Sequence, residues 1–263
     1  MSATRSPVTK ARIQLGLRVA LIGVVLVAAL YAWNRTEQFL IHDARFVMSG
    51  PDGVDDASVI QVQGAAHASR RAVESTFASD MGRSVYLLPL AERRATLRTI
   101  DWVREATVAR VWPNRVVVQL TERQPVAFVT LAPSRFGLID GDGVILPPTA
   151  DRFHLPVLRG VRAGDAIADR RDRVQRMQRV LRDLGDNAAK IAEVDVTDRG
   201  DIRVTQPYEG HMVTLILGDQ RFALRYQNFL NHYAEIHDKL PGAGVLDLRL
   251  EDRITVVDEP GGA

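Results

Sequence analysis

The 263-residue sequence contains no cysteine. This absence excludes disulfide frameworks, catalysis by a thiolate and cysteine-ligated zinc, although it fits an oxidising or a reducing compartment equally well. Acidic residues are absent from positions 1–33, which hold four of the 34 basic side chains, so 30 basic and 32 acidic residues remain in the rest of the chain. The slightly acidic balance of residues 34–263 is unsuited to binding the phosphate backbone of a nucleic acid, so we expect no nucleic-acid partner.

Motifs of catalysis and of metal binding are also missing. The sequence has no Gly-x-Ser-x-Gly, no Ser-x-x-Lys and no glycine-rich phosphate loop. His232 and His237 are five positions apart and would point to different sides of a helix, unlike a zinc pair. Asp140 and Asp142 favour a turn over a calcium loop, because Val144 supplies no side-chain ligand. We therefore expect no enzymatic activity, no cofactor, no metal site and no small-molecule substrate.

One long apolar run is present near the N-terminus. Val19–Trp33 carries no charge, and a helix over residues 15–33 would be roughly 28 Å long, close to the hydrocarbon thickness of a bilayer. A cleaved signal peptide is the alternative, but no Ala-x-Ala precedes Trp33, which favours an uncleaved transmembrane helix. Basic residues precede the run and acidic residues follow it, so the positive-inside rule predicts a cytoplasmic tail at 1–14 and export of the remainder.

The first exported segment alternates apolar and polar residues in two blocks around a turn. Residues 34–57 contain glycine, proline and several aspartates, and are expected to form a tether with a short strand at 45–49. A strand at 59–63, a helix at 70–79 and a helix from Pro89 to about Thr99 come next. The stretch "IDWVREATVARVWPNRVVVQLTERQPVAF" then predicts a hairpin that turns at Trp112–Arg115, with Trp112 packed in the domain core.

This order of strand, helix, helix, strand and strand resembles a POTRA domain. The stretches "WVREATVARVWPNRVVVQLTERQPVAF" and "GLIDGDGVILPP" are similar to those of the FtsQ/DivIB family of bacterial cell-division proteins. The resemblance implies an α+β protein with a single N-terminal transmembrane helix. It also implies a POTRA domain at 58–124, a second, mainly β domain with two helices at 125–258, and a tail at 259–263.

The residues after 124 are expected to form short strands and two helices, which supports a second domain there. "FGLIDGDGVILP" predicts a hairpin, and further strands are expected at "HLPVLRG", 191–196, 202–205 and 212–217. A helix at 168–184 has one apolar side and an arginine-rich side, which is a solvated face or a partner site. The second helix, beginning at Phe222, has an aromatic face toward the core.

The last strand, 253–257, has no successor in the sequence and is therefore a candidate sheet edge. In the family that the chain resembles, the corresponding strand accepts a strand from FtsB. The resemblance therefore implies partner-binding roles for Arg249, Leu250, Ile254 and Val256. The alternative is that this strand completes an internal sheet.

The function implied is a non-enzymatic scaffold of the division septum. It would reside in the inner membrane by a single span, with a periplasmic C-terminal part. Through β-strand addition and contacts of the POTRA domain it would recruit FtsB- and FtsL-like proteins and septal peptidoglycan synthases. One alternative is a POTRA-bearing component of protein translocation or outer-membrane assembly, which predicts tandem POTRA units or a following barrel. A second is a membrane-anchored enzyme that modifies the cell wall.

Overall fold

A computed structural model describes residues 7–49, 59–132, 135–239, 244–250 and 253–257, with the backbone alone at 7–16 and 237–239. The chain forms two compact units, Met1–Glu122 and Arg123–Ala263. The predicted tail at 259–263 and the residues from 50 to 57 of the predicted tether lie outside the described residues.

The first helix, α1 (Pro7–His42), extends beyond the predicted 15–33 at both ends. Its segment Leu17–His42 is long and apolar enough to cross a membrane, and its most apolar window is not buried in protein. Residues 34–42 were predicted to belong to the tether, and this was wrong. They contain neither glycine nor proline, and straight-chain residues such as Glu37 and Gln38 favour the helix. The predicted strand at 45–49 was also wrong, since Ala44–Phe46 is a 3-10 turn.

The rest of the first unit has the predicted order of elements: β1 (Ile60–Gln63), α2 (Arg70–Ser75), α3 (Leu90–Leu97), β2 (Val103–Val111) and β3 (Arg115–Glu122). In the three-stranded sheet β3 is central, parallel to β1 and antiparallel to β2. Val108, Val116, Val118 and Leu120 form part of the buried face. The alternating pattern of the hairpin therefore predicted its buried side, because successive side chains of a strand point to opposite faces.

Two details of the first unit differ from expectation. Helix α2 ends at Ser75 instead of residue 79, because the chain turns to bury Phe77 and to pair the buried carboxylate of Asp80 with Arg93 at 2.6 Å. Trp112, expected in the core, is 51% exposed and touches Phe46 edge-on. The buried tryptophan is Trp102, whose ring stacks on His67 with ring centres 4.4 Å apart.

The second unit contains two helices and short strands, with these bounds: β4 (Pro125–Ala132), β5 (Arg135–Asp140), β6 (Ile145–Leu146), β7 (Val157–Arg159), α4 (Ile167–Leu184), β8 (Glu193–Asp195), β9 (Ile202–Tyr208), β10 (His211–Gly218), α5 (Phe222–Lys239), β11 (Val245–Asp247) and β12 (Thr255–Val256). The predicted hairpin of β5 and β6 is present and antiparallel. Strand β4 was not predicted as a separate element.

The strands of the second unit form one sheet in the order β12-β11-β10-β9-β8-β7-β4-β5-β6. Helix α4 contributes Val174, Met177 and Val180 to the core, and α5 contributes Phe222 and Phe229. Both helices therefore use the apolar side that their three-four spacing predicted. The α+β fold class is confirmed.

Candidate partner-binding site

Strand β12 lies at one end of the nine-stranded order. It pairs antiparallel with β11 through Leu246↔Val256 and Asp247↔Thr255, and β11 pairs parallel with β10. Among the described residues no strand lies on the other side of β12. In the part of the sheet that the structure describes, β12 is therefore an edge strand.

The direction of the backbone groups of β12 follows from one hydrogen bond. The Val257 amide donates to the Val245 carbonyl at 3.0 Å, so these two residues form a hydrogen-bonded pair of the ladder. In an antiparallel ladder such pairs alternate with non-bonded ones, and Thr255 therefore also faces β11 with its amide and carbonyl. The amide and carbonyl groups of Ile254 and Val256 consequently point away from β11, toward the edge.

The side chains of β12 separate into two faces. Ile254 and Val256 are partly buried and pack against the core of the second unit. Thr255 and Val257 are exposed. Ile254 and Val256 thus hold the edge in place with their side chains while their main chains remain available for pairing.

The two other predicted residues precede β12 and differ in environment. Arg249 binds Asp247 at 2.6 Å and Asp201 at 3.2 Å, and its hydrogen bond holds the pKa of the Asp247 carboxyl below its ordinary value. Leu250 lies outside β11 and β12, and its side chain is 52% exposed. Arg249 therefore shapes the chain locally, and Leu250 offers an apolar side chain beside the edge.

Arg225 of α5 supports this region and was not identified from the sequence. It is 7% exposed, and its guanidinium donates to the carbonyls of Leu217, at the end of β10, and Arg249, at 3.0 Å for the latter. One side chain thus fixes the end of β10 and the chain after β11. Both acceptors are backbone atoms, which a residue pattern does not disclose.

The predicted turn at "DGDG" is held by ionic and polar contacts. Asp140 is buried, binds Arg123 at 2.6 Å and accepts hydrogen bonds from the amides of Asp142 and Val144. The described residues contain no group of three histidine, aspartate or glutamate side chains that could hold a metal ion. The Asp140 carboxylate organises the turn.

The arginine-rich side of α4 proves to be largely engaged within the second unit. Arg170 and Arg171 donate to the carbonyls of Gly143 and Asp142 in the same turn, and Arg173 binds Asp165 at 2.6 Å. Arg176 donates to the Val196 carbonyl, and burial, the largest effect, lowers its pKa. The sequence left a solvated face or a partner site open; for these four arginines the contacts are intramolecular.

Comparison with known proteins assigns both units to known domain families. Residues 57–123 match the POTRA domain, FtsQ-type, and residues 127–249 match the description Cell division protein FtsQ/DivIB, C-terminal. The Cell division protein FtsQ of Koribacter versatilis is 31% identical in an alignment 255 residues long, which covers 94% of this chain and 71% of that protein.

Two further relatives bear the same name. The protein of Nitrosospira multiformis is 25% identical over 192 residues, covering 73% of this chain and 72% of the relative. That of Neisseria meningitidis serogroup B is 38% identical over 77 residues, covering 28% and 30%. With its apolar first helix, its POTRA sheet and its mainly β second unit, the chain belongs to the FtsQ family of cell division proteins.

Proposed function

We propose that the chain is a non-enzymatic scaffold of the division septum that recruits partners by accepting a strand at β12. The open edge of β12 is the observation that carries this proposal. Ile254 and Val256 each present an amide and a carbonyl there, which is the hydrogen-bonding pattern that an added strand requires. The partner class is a segment of an FtsB-like protein, with FtsL-like proteins and septal peptidoglycan synthases recruited to the same assembly.

The proposed location is the inner membrane, crossed once by α1, with the N-terminus in the cytoplasm and the two units in the periplasm. Lys10, Arg12 and Arg18 precede or begin the apolar run, whereas Glu37 and Asp43 follow it. Moving the basic residues to the other side of the run should disturb this orientation. A protease-accessibility assay on spheroplasts would contradict it if the second unit of the unaltered chain were protected.

The alternative of a translocation or outer-membrane assembly component has less support. The second unit contains one sheet with two distinct ends in its described residues and packs α4 and α5 against it. Neither a second POTRA unit nor a closed barrel is present among those residues. For the alternative of a wall-modifying enzyme, the described part of the chain contains no catalytic group of side chains. Hydrolysis of sacculi by the part of the chain after α1 would support that alternative.

A pair of variants at one position tests the edge. Val256→Pro removes the outward amide, whereas Val256→Ala keeps the amide and removes most of the same side chain. We expect the proline variant to bind the periplasmic segment of the same organism's FtsB about 5- to 150-fold more weakly than the alanine variant, because an unmet buried hydrogen bond costs about 1–3 kcal/mol.

Folding must be checked in both variants by circular dichroism and thermal melting. Thr255→Pro is the comparison for internal pairing, since Thr255 faces β11 and its replacement should lower stability as well as binding. Equal FtsB affinity in folded Val256→Pro and Val256→Ala would refute strand addition at this edge.

A further inference from the structure

The first unit exposes few large apolar side chains beyond the apolar run of α1. Among its described residues after Trp33 they are Phe39, Leu87, Val111 and Trp112, with exposed fractions of 46%, 39%, 41% and 51%. Two of them lie at the β2–β3 turn, one in a 3-10 turn and one near the end of α1. Three separated segments of the chain thus contribute these four apolar residues.

Contacts bring these positions to the end of α1. The Phe46 ring lies edge-on to both Phe39 and Trp112, with ring centres 5.6 and 5.5 Å away. Arg110, beside the turn, donates to the carbonyls of Val85 and Leu88, which flank Leu87. The four exposed residues, named here the junction patch, therefore surround one joint between the helix and the POTRA sheet.

Backbone contacts hold this joint in one arrangement. The Ser84 hydroxyl donates to the Leu40 carbonyl at 2.7 Å, and the Met48 amide donates to the Arg83 carbonyl at 2.9 Å. The Gly82 amide returns a hydrogen bond to the Met48 carbonyl, and the Met48 side chain is fully buried. The segment before Leu87 is thereby held beside the helix end, and the hydrogen bonds of Arg110 tie the β2–β3 hairpin to that segment.

The position of Phe39 along α1 gives its height above the bilayer core. If Trp33 marks the end of the apolar run, Phe39 lies about 9 Å farther along the axis at about 1.5 Å per residue. The polar zone on each side of the hydrocarbon core is about 5–8 Å deep. Helix side chains lean toward the N-terminus, which brings the Phe39 ring back toward that zone.

The exposed arginines beside the junction patch suit lipid headgroups. Arg35 precedes Phe39 by one turn of α1. The Arg45 guanidinium lies over the Phe39 ring, 5.2 Å from its centre, and is itself neutralised by an ion pair with Asp43 at 3.0 Å. Arg83 follows the joint, and Arg115 pairs with Val111 across the hairpin; both are exposed. Aromatic rings with neighbouring arginines are the side chains typical of a membrane interface.

We propose that the junction patch, with Arg83 and Arg115, docks on the anionic phospholipid headgroups of the leaflet in which α1 ends. This surface would hold the POTRA sheet against the membrane, independently of partner binding at β12. The inference rests on the proposed membrane span of α1, and the experiment below reports on that span separately.

The natural absence of cysteine permits single labels in the full chain. Spin labels are placed at Asn114→Cys in the hairpin turn, at Thr99→Cys before the opposite end of β2, and at Leu26→Cys in α1. The protein is reconstituted in vesicles of phosphatidylglycerol and phosphatidylethanolamine in equal amounts. Accessibility to oxygen and to a water-soluble nickel chelate is then measured for each label.

The Leu26 label should be open to oxygen and closed to nickel, which establishes the span. The Asn114 label should then be shielded from nickel relative to the Thr99 label, and this shielding should be lost in Trp112→Gln and in the double variant Arg83→Glu, Arg115→Glu. Replacing phosphatidylglycerol with phosphatidylcholine should weaken it. A normal Leu26 profile with equal nickel accessibility at Asn114 and Thr99 would overturn the docking surface, as would shielding that survives both variants.

Discussion

Replacing Glu122 by glutamine should loosen the loop that follows β1. The Glu122 side chain is 7% exposed, and one of its oxygens accepts hydrogen bonds from the amides of Ala66, His67 and Ala68 at 2.7–2.8 Å. Its other oxygen lies 2.8 Å from the His67 ring nitrogen. The glutamine keeps the shape and one acceptor oxygen but removes the charge that strengthens all these bonds.

The expected cost of Glu122→Gln is about 2–3 kcal/mol, because hydrogen bonds to a charged group are worth about 1.5–3 kcal/mol each and neutral ones about 0.5–1.5. Hydrogen exchange at the three amides, measured by mass spectrometry on the full chain in detergent, should therefore accelerate about 30- to 150-fold. Glu105→Gln is the control, since Glu105 forms an exposed ion pair with Arg98 and should change exchange little.

The pH dependence of the same difference gives an independent check. Burial alone would raise the pKa of Glu122, but the hydrogen bonds from Ala68, His67 and Ala66 outweigh it and hold the pKa below its usual value. A carboxylate with a lowered folded-state pKa stabilises above the unfolded pKa of about 4.3, and the stabilisation disappears as pH falls through the folded value.

The exchange gap between the unaltered chain and Glu122→Gln should therefore be constant above about pH 4.3 and shrink as the pH falls further. Unchanged exchange in Glu122→Gln at neutral pH, together with normal exchange in Glu105→Gln, would refute the account of this loop. A gap that widens in acid would contradict the sign of the pKa shift.

Two other substitutions test glycine geometry and the support of the edge strand. Gly64→Ala should destabilise the first unit more than Gly82→Ala in urea unfolding: both glycines have positive φ, +76° and +78°, but an added Cβ at Gly64 would overlap the Leu120 carbonyl oxygen and one at Gly82 meets nothing within 4 Å. A smaller loss for Gly64→Ala would contradict the steric argument. Arg225→Met should weaken FtsB binding by releasing the Leu217 and Arg249 carbonyls, whereas Arg159→Met, which removes an exposed ion pair with Glu193, should leave binding unchanged. Full FtsB affinity in a folded Arg225→Met variant would show that Arg225 does not position the edge.

Patterns with a clear period predicted the elements that bury one face. The β2–β3 hairpin has alternating residues and a turn with proline and asparagine, and α5 has aromatic residues on one side. Strand β4 was missed because Val126–Leu131 is nearly continuous in apolar residues, and such a run gives no alternation to recognise. The end of α1 was missed for a related reason, since its last turns are polar enough to look like a linker.

Contacts to backbone atoms are the other part that sequence does not reveal. Glu122, Arg225 and Arg170 each bind carbonyls or amides far away in the chain, so no complementary residue type marks the partner. For β12 the sequence left two alternatives open, a sheet edge or an internal strand, because composition does not determine which strands are neighbours; in the observed order β12 lies at one end. Trp112 was misplaced because aromatic size suggests burial, whereas the fold puts this residue at a turn.

The ladder between β11 and β12 is short, with two register pairs and the adjoining Val257–Val245 hydrogen bond. A strand that joined from outside would give β12 a second neighbour and would be comparable in extent to the one already present. Strand β12 would thus become more rigid when the partner strand is bound. The fraction of bound protein and the local order of β12 should therefore rise together. A short partner fragment that pairs with only one residue of β12 would not order the strand. Its measured affinity would therefore underestimate the affinity of the complete partner segment.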